Sequence, residues 1–348
     1  MIEIIKDREG WNSFIKLFEH YDCYHTYHYH ILSKKESETP ILLIYQKAAL
    51  TIAIPLLLRP IPESEYQDAT SVYGYAGPLH TGPLGGSELS EFKMELQVFL
   101  KKNKIVSIFS RLHPYIEGQE KVLEGIGCVT CPGSVVNIDI SKPLDIQRQK
   151  YNSRLKTYVN KARRVYSVID GTKEKDIEEF IQLYYENMGR VHADKQYYFD
   201  RQYFYKLMLS SFFKAELLLC LLKDTKEIIG GALFIKTGNI VQYHLSGSKE
   251  AYLQLNPVKL LIDEMRIRAT KENFKYFNLG GGKGIKEDSL FRFKSTFSHD
   301  FKDAKLWKYT INKEVYDVLT ESRKKVLGES FNDDPNFFPA YRKNQKTH

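Results

Sequence analysis

The sequence predicts an α/β fold built on mixed α+β sheets, in two tandem domains. Three observations lead there. A chain of 348 residues exceeds what one hydrophobic core usually organises. Apolar residues alternate along it between helical and strand periods. Both halves run helix, strands, helix, strand in the same order, which permits a duplicated fold.

Element by element, residues 8–21 read as a helix, because Trp11, Phe14, Ile15 and Phe18 recur at three- and four-residue spacing. Residues 41–45 and 50–58 are β-rich runs, and Arg59-Pro60-Ile61-Pro62 is expected to leave the sheet, since proline cannot donate to a ladder. Residues 72–79 set glycines between aromatics and read as a strand that bends into a turn. A helix over 90–102, with Phe92, Leu96, Phe99 and Leu100 on one face, and strands over 105–112 and 135–140 complete the first unit. Pro143 marks the boundary, giving domains 1–145 and 146–310 and a terminal helix and tail, 311–348, packing back on the first domain.

The second unit opens with a basic helix over 148–164, which carries seven Lys and Arg, no acid, and an apolar stripe from Tyr151 to Ala162. Residues 176–190 are amphipathic, and Asp200 is placed to cap a helix bearing Tyr203, Phe204, Leu207 and Met208. Strands over 217–223, 228–236 and 240–246 follow, joined by short turns. Asn256 is the expected N-cap of the next helix, with Pro257 at its first position. A strand over 276–279 then runs into Gly280-Gly281-Gly282, and a strand over 307–311 and a helix over 314–327 end the pattern.

Composition excludes several classes. With 24 Tyr and 20 Phe the chain has ample apolar surface to offset folding entropy, so it is not disordered. Cys23, Cys128, Cys131 and Cys220 are too few and too scattered for a disulfide framework, which fits a reducing cytoplasm. The first residues mix both charges, unlike a signal peptide, and the longest apolar run, 48–58, falls short of the ~20 residues of a membrane span. A cytoplasmic location is therefore expected. Net charge is +8, which favours anionic partners without choosing among them.

Two motifs carry chemistry. The strand around Tyr243-His244-Leu245-Ser246-Gly247-Ser248, followed by the helix start at Asn256-Pro257-Val258-Lys259, can hold phosphate on unsatisfied amides; ordinary capping explains it equally well. Gly280-Gly281-Gly282-Lys283-Gly284 is not a Walker loop, because Phe277 stands where the first glycine belongs. Lys294 lies among phenylalanines, where it can face developing negative charge or simply pack its stem. The tract His25 to His30 and the lone Cys128-Val-Thr-Cys131 are not read as metal sites, and no metal is expected.

Taken in order, the segment from Tyr276 through Gly280-Gly281-Gly282 and Asp288-Ser-Leu to Phe293-Lys294-Ser-Thr-Phe297 resembles the Fem-type branch of the GNAT acyltransferase superfamily, in which two GNAT-like domains share one chain. The basic helix ending at Ala162-Arg163, the Tyr243 to Ser248 strand and Tyr73-Gly-Tyr75-Ala-Gly-Pro78 support it, and the resemblance covers nearly the whole sequence. The Phe337 to Arg342 ending and the tyrosine-glycine segment look more like members that acylate amino sugars for surface polysaccharides such as O-antigen than like the glycyl-transferring Fem proteins, which carry a long helical arm. The usual GNAT pyrophosphate loop is replaced here by Ser246-Gly247-Ser248 and the stretch to Asn256.

The resemblance implies acyl transfer from acyl-CoA to the amine of a dTDP- or UDP-linked amino sugar. It assigns coenzyme A to Tyr243, Leu245, Ser246, Gly247, Ser248, Asn256, Pro257, Val258, Lys259, Gly280 and Gly281, and charge stabilisation to Lys294. His244 is chosen as base because imidazole titrates near neutral pH. The resemblance further implies a cleft between the two GNAT-like domains, with Tyr73, Tyr75, Arg190, Tyr252 and Gly282 as the expected contacts to the nucleotide sugar in it. Two rivals stay open: an aminoacyl-tRNA-dependent transferase acting on a peptidoglycan precursor, with tRNA along the basic helix, and a non-catalytic nucleic-acid-binding protein using that helix. The acyl chain, the sugar and the oligomeric state are not encoded in any motif.

Overall fold

The computed structural model describes residues 1–331 and 337–343; residues 332–336 and 344–348 of the expected tail lie outside the described residues. In chain order the elements are β1 (Glu3–Ile5), α1 (Arg8–Ile15), α2 (Tyr27–Ser33), β2 (Thr39–Lys47), β3 (Leu50–Pro60), β4 (Gln67–Thr70), β5 (Leu79–Thr81), α3 (Gly86–Lys102), β6 (Ile105–Arg111), α4 (Gln119–Leu123) and β7 (Cys128–Asp139). There follow α5 (Leu144–Gln149), α6 (Ser153–Val165), β8 (Tyr166–Asp170), α7 (Glu174–Arg190), α8 (Arg201–Met208), β9 (Lys214–Leu222), β10 (Ile228–Thr237) and β11 (Ile240–Ser248). The last are α9 (Pro257–Lys271), β12 (Tyr276–Gly280), α10 (Ser289–Ser295), β13 (Asp300–Thr310) and α11 (Lys313–Leu327). The architecture is mixed α/β.

The chain divides into two compact units, Met1–Pro132 together with the segment from Ala304 on, and Gly133–Asp303. The end of β7, which the sequence boundary at 145 groups with the first domain, thus falls in the second unit, where its residues Val136–Asp139 pair with β12.

In the first unit the strands lie in the order β1-β2-β3-β4-β6-β13, with β5 on β3. Side chains of β2 alternate between two cores. Ile41, Leu43 and Tyr45 meet Phe92, Leu96 and Leu100 of α3, while Leu42 and Ile44 meet Trp11, Ile15 and Phe18 from the α1 side. That two-sided burial explains why β2 and β3 read as unbroken apolar runs. The terminal segment packs on this unit as well: Tyr341 Oη lies 2.7 Å from Ser107 Oγ, and Arg342 Nε donates to Asp68 at 2.9 Å.

Several expectations change here. Pro60 stays in the ladder opposite Gln67, held at the strand's end by the Arg59–Asp68 ion pair at 2.6 Å. Residues 72–78 form no strand; Gly77 has φ +66° and a Cβ there would meet the Gln119 amide at 2.6 Å, so the segment turns where it was expected to extend. The first helix stops at Ile15, and the strand expected over 307–311 begins earlier, at Asp300.

In the second unit the order is β7-β12-β11-β10-β9-β8. Only β11 and β12 run parallel, joined by the crossover helix α9. Leu260, Leu261, Met265 and Ala269 of α9 pack with Leu155, Val159 and Ala162 of α6 in one core. The basic segment is two helices, not one. Asn152 interrupts it by accepting from Leu155 N at 2.7 Å as the cap of α6.

Candidate active site

The parallel register of β11 and β12 runs from Ile240 opposite Tyr276 to Gln242 opposite Asn278. Asn278 Nδ2 donates to Gln242 Oε1 at 2.9 Å at that last pair, and Asn278 Oδ1 accepts from Gly280 N at 2.9 Å, turning the chain into a left-handed Gly280 with φ +76°. β11 continues beyond the pair to Ser248. Against β10, Tyr243 stands opposite Phe234 and Leu245 opposite Leu233, which leaves His244 as the extra residue of a β-bulge. A bulge re-aims the side chain it carries.

His244 Nε2 lies 2.7 Å from Tyr203 Oη, and burial pushes the imidazole down to about 4, so the ring is neutral at pH 7 and does not titrate near neutral pH, the property for which it was chosen as base. Tyr203 belongs to the first turn of α8, which Asp200 caps as expected by accepting from Tyr203 N at 2.7 Å. The Phe199 ring stacks on Tyr203 at 4.2 Å.

Lys294 is reached from the other side. Asp288 caps α10 by accepting from Phe291 N at 2.9 Å, and its second oxygen accepts from Lys283 N at 2.9 Å, so one carboxylate fixes both helix and glycine loop. The helix then buries Lys294, whose Nζ donates to the Gly281 carbonyl at 2.7 Å and lies 5.8 Å from the centre of the Tyr243 ring. Burial lowers its ammonium to about 8, against the opposing charge of Asp288. Tyr243 in turn shares a hydrogen bond with Ser246 Oγ. Gly282 is closed by the Lys286 carbonyl and Asp288, and a Cβ on Gly281 would meet the Ser134 carbonyl at 2.9 Å; this turn needs glycine for its own packing.

At the start of α9, Asn256 is left-handed, with φ +41°, and its side chain does not cap the helix; Nδ2 donates instead to Gln254 O at 3.0 Å. The expected Asn cap is thus replaced by a backbone turn, and the first-turn amides receive no side-chain acceptor. Tyr158 of α6 donates to the Asn256 carbonyl at 3.0 Å, and Lys259 Nζ sits 5.3 Å over the Tyr158 ring, its pKa lowered by burial. Tyr158 also lines an open hollow with Ser153, Arg154 and Thr157. Gly247 is tightly overlaid by the Leu183 backbone of α7, and Asn187 of the same helix donates to the Ser246 carbonyl at 3.4 Å. Ser248 pairs with Gly230 of β10, and Val258 packs against the core.

The substrate residues divide between the units. Tyr73, exposed, has Arg111 5.4 Å above its ring, and Tyr75 meets Tyr24 edge-on, both in the first unit. In the second, Arg190 donates to Asn187 Oδ1 at 2.5 Å and Tyr252 donates to Glu227 at 2.6 Å. Arg163, at the end of the basic helix, is bound to Asp263 at 2.7 Å and Glu264 at 2.9 Å and so serves the core. Sequence reasoning missed Tyr203, Asn278 and Tyr158 as supports of the site. An Asp before Ser-Leu-Phe is a cap signal that could have exposed the role of Asp288; a tyrosine on another helix offers no such signal.

Residues 147–295 match the model of the acetyltransferase (GNAT) domain. Over nearly the whole chain the fold matches the crystal structure of FemX, with 14% identity, a TM-score of 0.70, and 91% of this chain and 99% of that one covered. A conserved protein of unknown function from Bacteroides thetaiotaomicron matches at 10% identity and TM-score 0.57, covering 89% and 100%. The C-terminal domain of a putative lysylphosphatidylglycerol synthetase from Agrobacterium fabrum matches at 12% and 0.55, covering 92% and 95%. No curated protein matches the sequence. The matched residues, 147–295, lie within the second unit. The chain as a whole shares the fold of FemX.

Proposed function

We propose that the protein is an N-acyltransferase that moves an acyl group from acyl-CoA to the amine of a dTDP- or UDP-linked amino sugar destined for cell-surface polysaccharide. The observation that supports it best is the buried Lys294, which binds the Gly281 carbonyl and lies beside Tyr243 of β11, in a unit whose α9 starts without a side-chain cap. The donor set suits a coenzyme: the Val258 backbone amide and the Lys259 ammonium suit a pyrophosphate, the Lys259 amide itself being bonded to the Asn256 carbonyl at 3.0 Å, and the β11 edge from Tyr243 to Ser248 suits a pantetheine amide chain. When bound, acyl-CoA supplies a thioester carbonyl and a thiolate leaving group.

The residues supply the rest. His244, neutral at pH 7, takes the proton that the amine must lose. Lys294, cationic below about 8, stabilises charge developing at the carbonyl oxygen. Tyr73, Tyr75, Arg190, Tyr252 and Gly282 are proposed for the nucleotide sugar.

A second reading keeps the fold and the amine acceptor and takes aminoacyl-tRNA as donor. The likeness to FemX and the exposed cations Lys150, Arg154, Lys161 and Arg164 along α5 and α6 favour it. Release of free thiol from acetyl-CoA in the presence of UDP- and dTDP-linked amino sugars decides between them. Thiol release that depends on the sugar supports the first reading; no release, with acyl transfer from charged tRNA, supports the second.

A further inference from the structure

We propose that Arg111, with the exposed ring of Tyr73 beside it, binds a phosphate of the nucleotide-linked acceptor. The inference rests on the reading of the acceptor as a nucleotide sugar and adds an anion contact that the residues proposed above do not include. Arg111 ends β6, where it pairs with Leu306 of β13 and its backbone N–H donates to Ser71 Oγ at 3.2 Å. Phe109, two residues earlier, lies on the same face of the strand. The guanidinium carbon is 5.1 Å from the centre of the Phe109 ring and 5.4 Å from that of Tyr73, which arrives from the segment beyond β4. Arg59, Arg163, Arg268 and Arg342, half-buried like Arg111, each hold a carboxylate. Among the described residues none pairs with Arg111, and its guanidinium N–H groups meet no hydrogen-bond acceptor there. Aromatic rings engage a guanidinium by its face and leave its N–H edge for two oxygens of one phosphate. A nucleotide brings a ring and a phosphate together, and Tyr73 and Arg111 offer one contact for each.

The segment that carries Tyr73 is held in advance of any ligand. It forms no strand, yet three buried side chains take its carbonyls: Tyr29 Oη donates to Tyr73 O at 3.1 Å, His25 Nε2 to Ala76 O, and Gln119 Nε2 to Pro78 O at 2.9 Å. A carbonyl can only accept, so the His25 proton is on Nε2, and Nδ1 accepts from Asp22 N at 3.1 Å. Above this bracing the Tyr73 side chain is 59% exposed. A ring so exposed contributes little to folding, whereas a fixed backbone beneath it spares a ligand the cost of ordering the loop.

Calorimetric titration of the full-length protein with UDP, dTDP, uridine, thymidine and inorganic pyrophosphate reads the contact without turnover, with coenzyme A in excess to occupy the donor site. The wild type should bind UDP or dTDP about tenfold or more tighter than the matching nucleoside. Arg111→Met, whose stem still packs between the rings, should abolish that advantage and leave nucleoside binding within about twofold. Arg111→Lys, a point charge without the planar fork, should fall between the two. Urea unfolding of both variants establishes that each is folded, and Arg111→Lys carries the test if Arg111→Met is not. Nucleotide affinity unchanged in the folded variants overturns the proposal and leaves the acceptor reading standing. If the wild type binds pyrophosphate through Arg111 but neither nucleotide, the acceptor reading falls and Arg111 remains an anion site. Binding of none of the three anions overturns both.

Discussion

The Lys294 ammonium donates to the carbonyl of Gly281 at 2.7 Å, tying the end of α10 to the glycine turn that follows β12. The carbonyl uses one donor hydrogen of three, so the same ammonium can hold the loop and still present charge beside Tyr243. The contact joins the two most specific pieces of the sequence motif, the triple glycine and the lysine between phenylalanines, into one structure.

Replacing Lys294 with Met keeps the buried stem and removes the charge. Loss of one charge-stabilising donor typically costs about 10²–10³ in kcat. Steady-state turnover of Lys294→Met should fall in that range. Because burial sets the ammonium at about 8, the charged form prevails below that pH, and turnover of the wild type should decline as pH rises through it. Lys294→Arg, whose guanidinium does not titrate there, should flatten the decline in a pH–rate profile.

Acid should unfold the first unit early. Burial pushes His25 down to about 3 and His30 to about 4, while an unfolded histidine titrates near 6.5. At pH 7 both states are neutral and nothing is lost. As pH falls through 6.5 the unfolded chain binds protons that the folded chain refuses, so each such histidine costs about 1.4 kcal/mol per pH unit until its folded pKa is reached. Urea midpoints between pH 7 and 5 should fall accordingly, and His30→Gln should reduce the slope.

Gly247→Ala should destabilise the second unit by roughly 1–3 kcal/mol, since the new methyl meets the Leu183 backbone rather than a side chain able to move. Gly284→Ala, where a Cβ meets open space, loses only the ease of a φ of +64° and should cost less. Chemical denaturation of the two variants measures the difference.

Much of the fold was legible because periodicity and caps carry it. The β9-β10-β11 run, the Asp200 cap and Pro257 at the start of α9 all follow from local patterns. Three failures have physical causes. The tyrosine-glycine segment 72–78 has strand composition, but positive φ at Gly77 against Gln119 bends it, and that partner lies far along the chain. Asn152 splits the basic helix by capping its own downstream turn, a competition that charge counting does not reveal. Arg163 looked like part of a cationic face until Asp263 and Glu264 of α9 claimed it. At the site, the residue types were readable, whereas the support of His244 by Tyr203 required two elements to be brought together in space.

Thermal unfolding of the purified protein with coenzyme A, acetyl-CoA, uridine and thymidine nucleotides, and bulk tRNA tests the central claim most directly, because a ligand at 100 times its Kd adds about 2.7 kcal/mol to stability. An upward shift is expected with coenzyme A and with a uridine or thymidine nucleotide. A shift with tRNA alone would contradict it and leave the aminoacyl-transfer reading in its place.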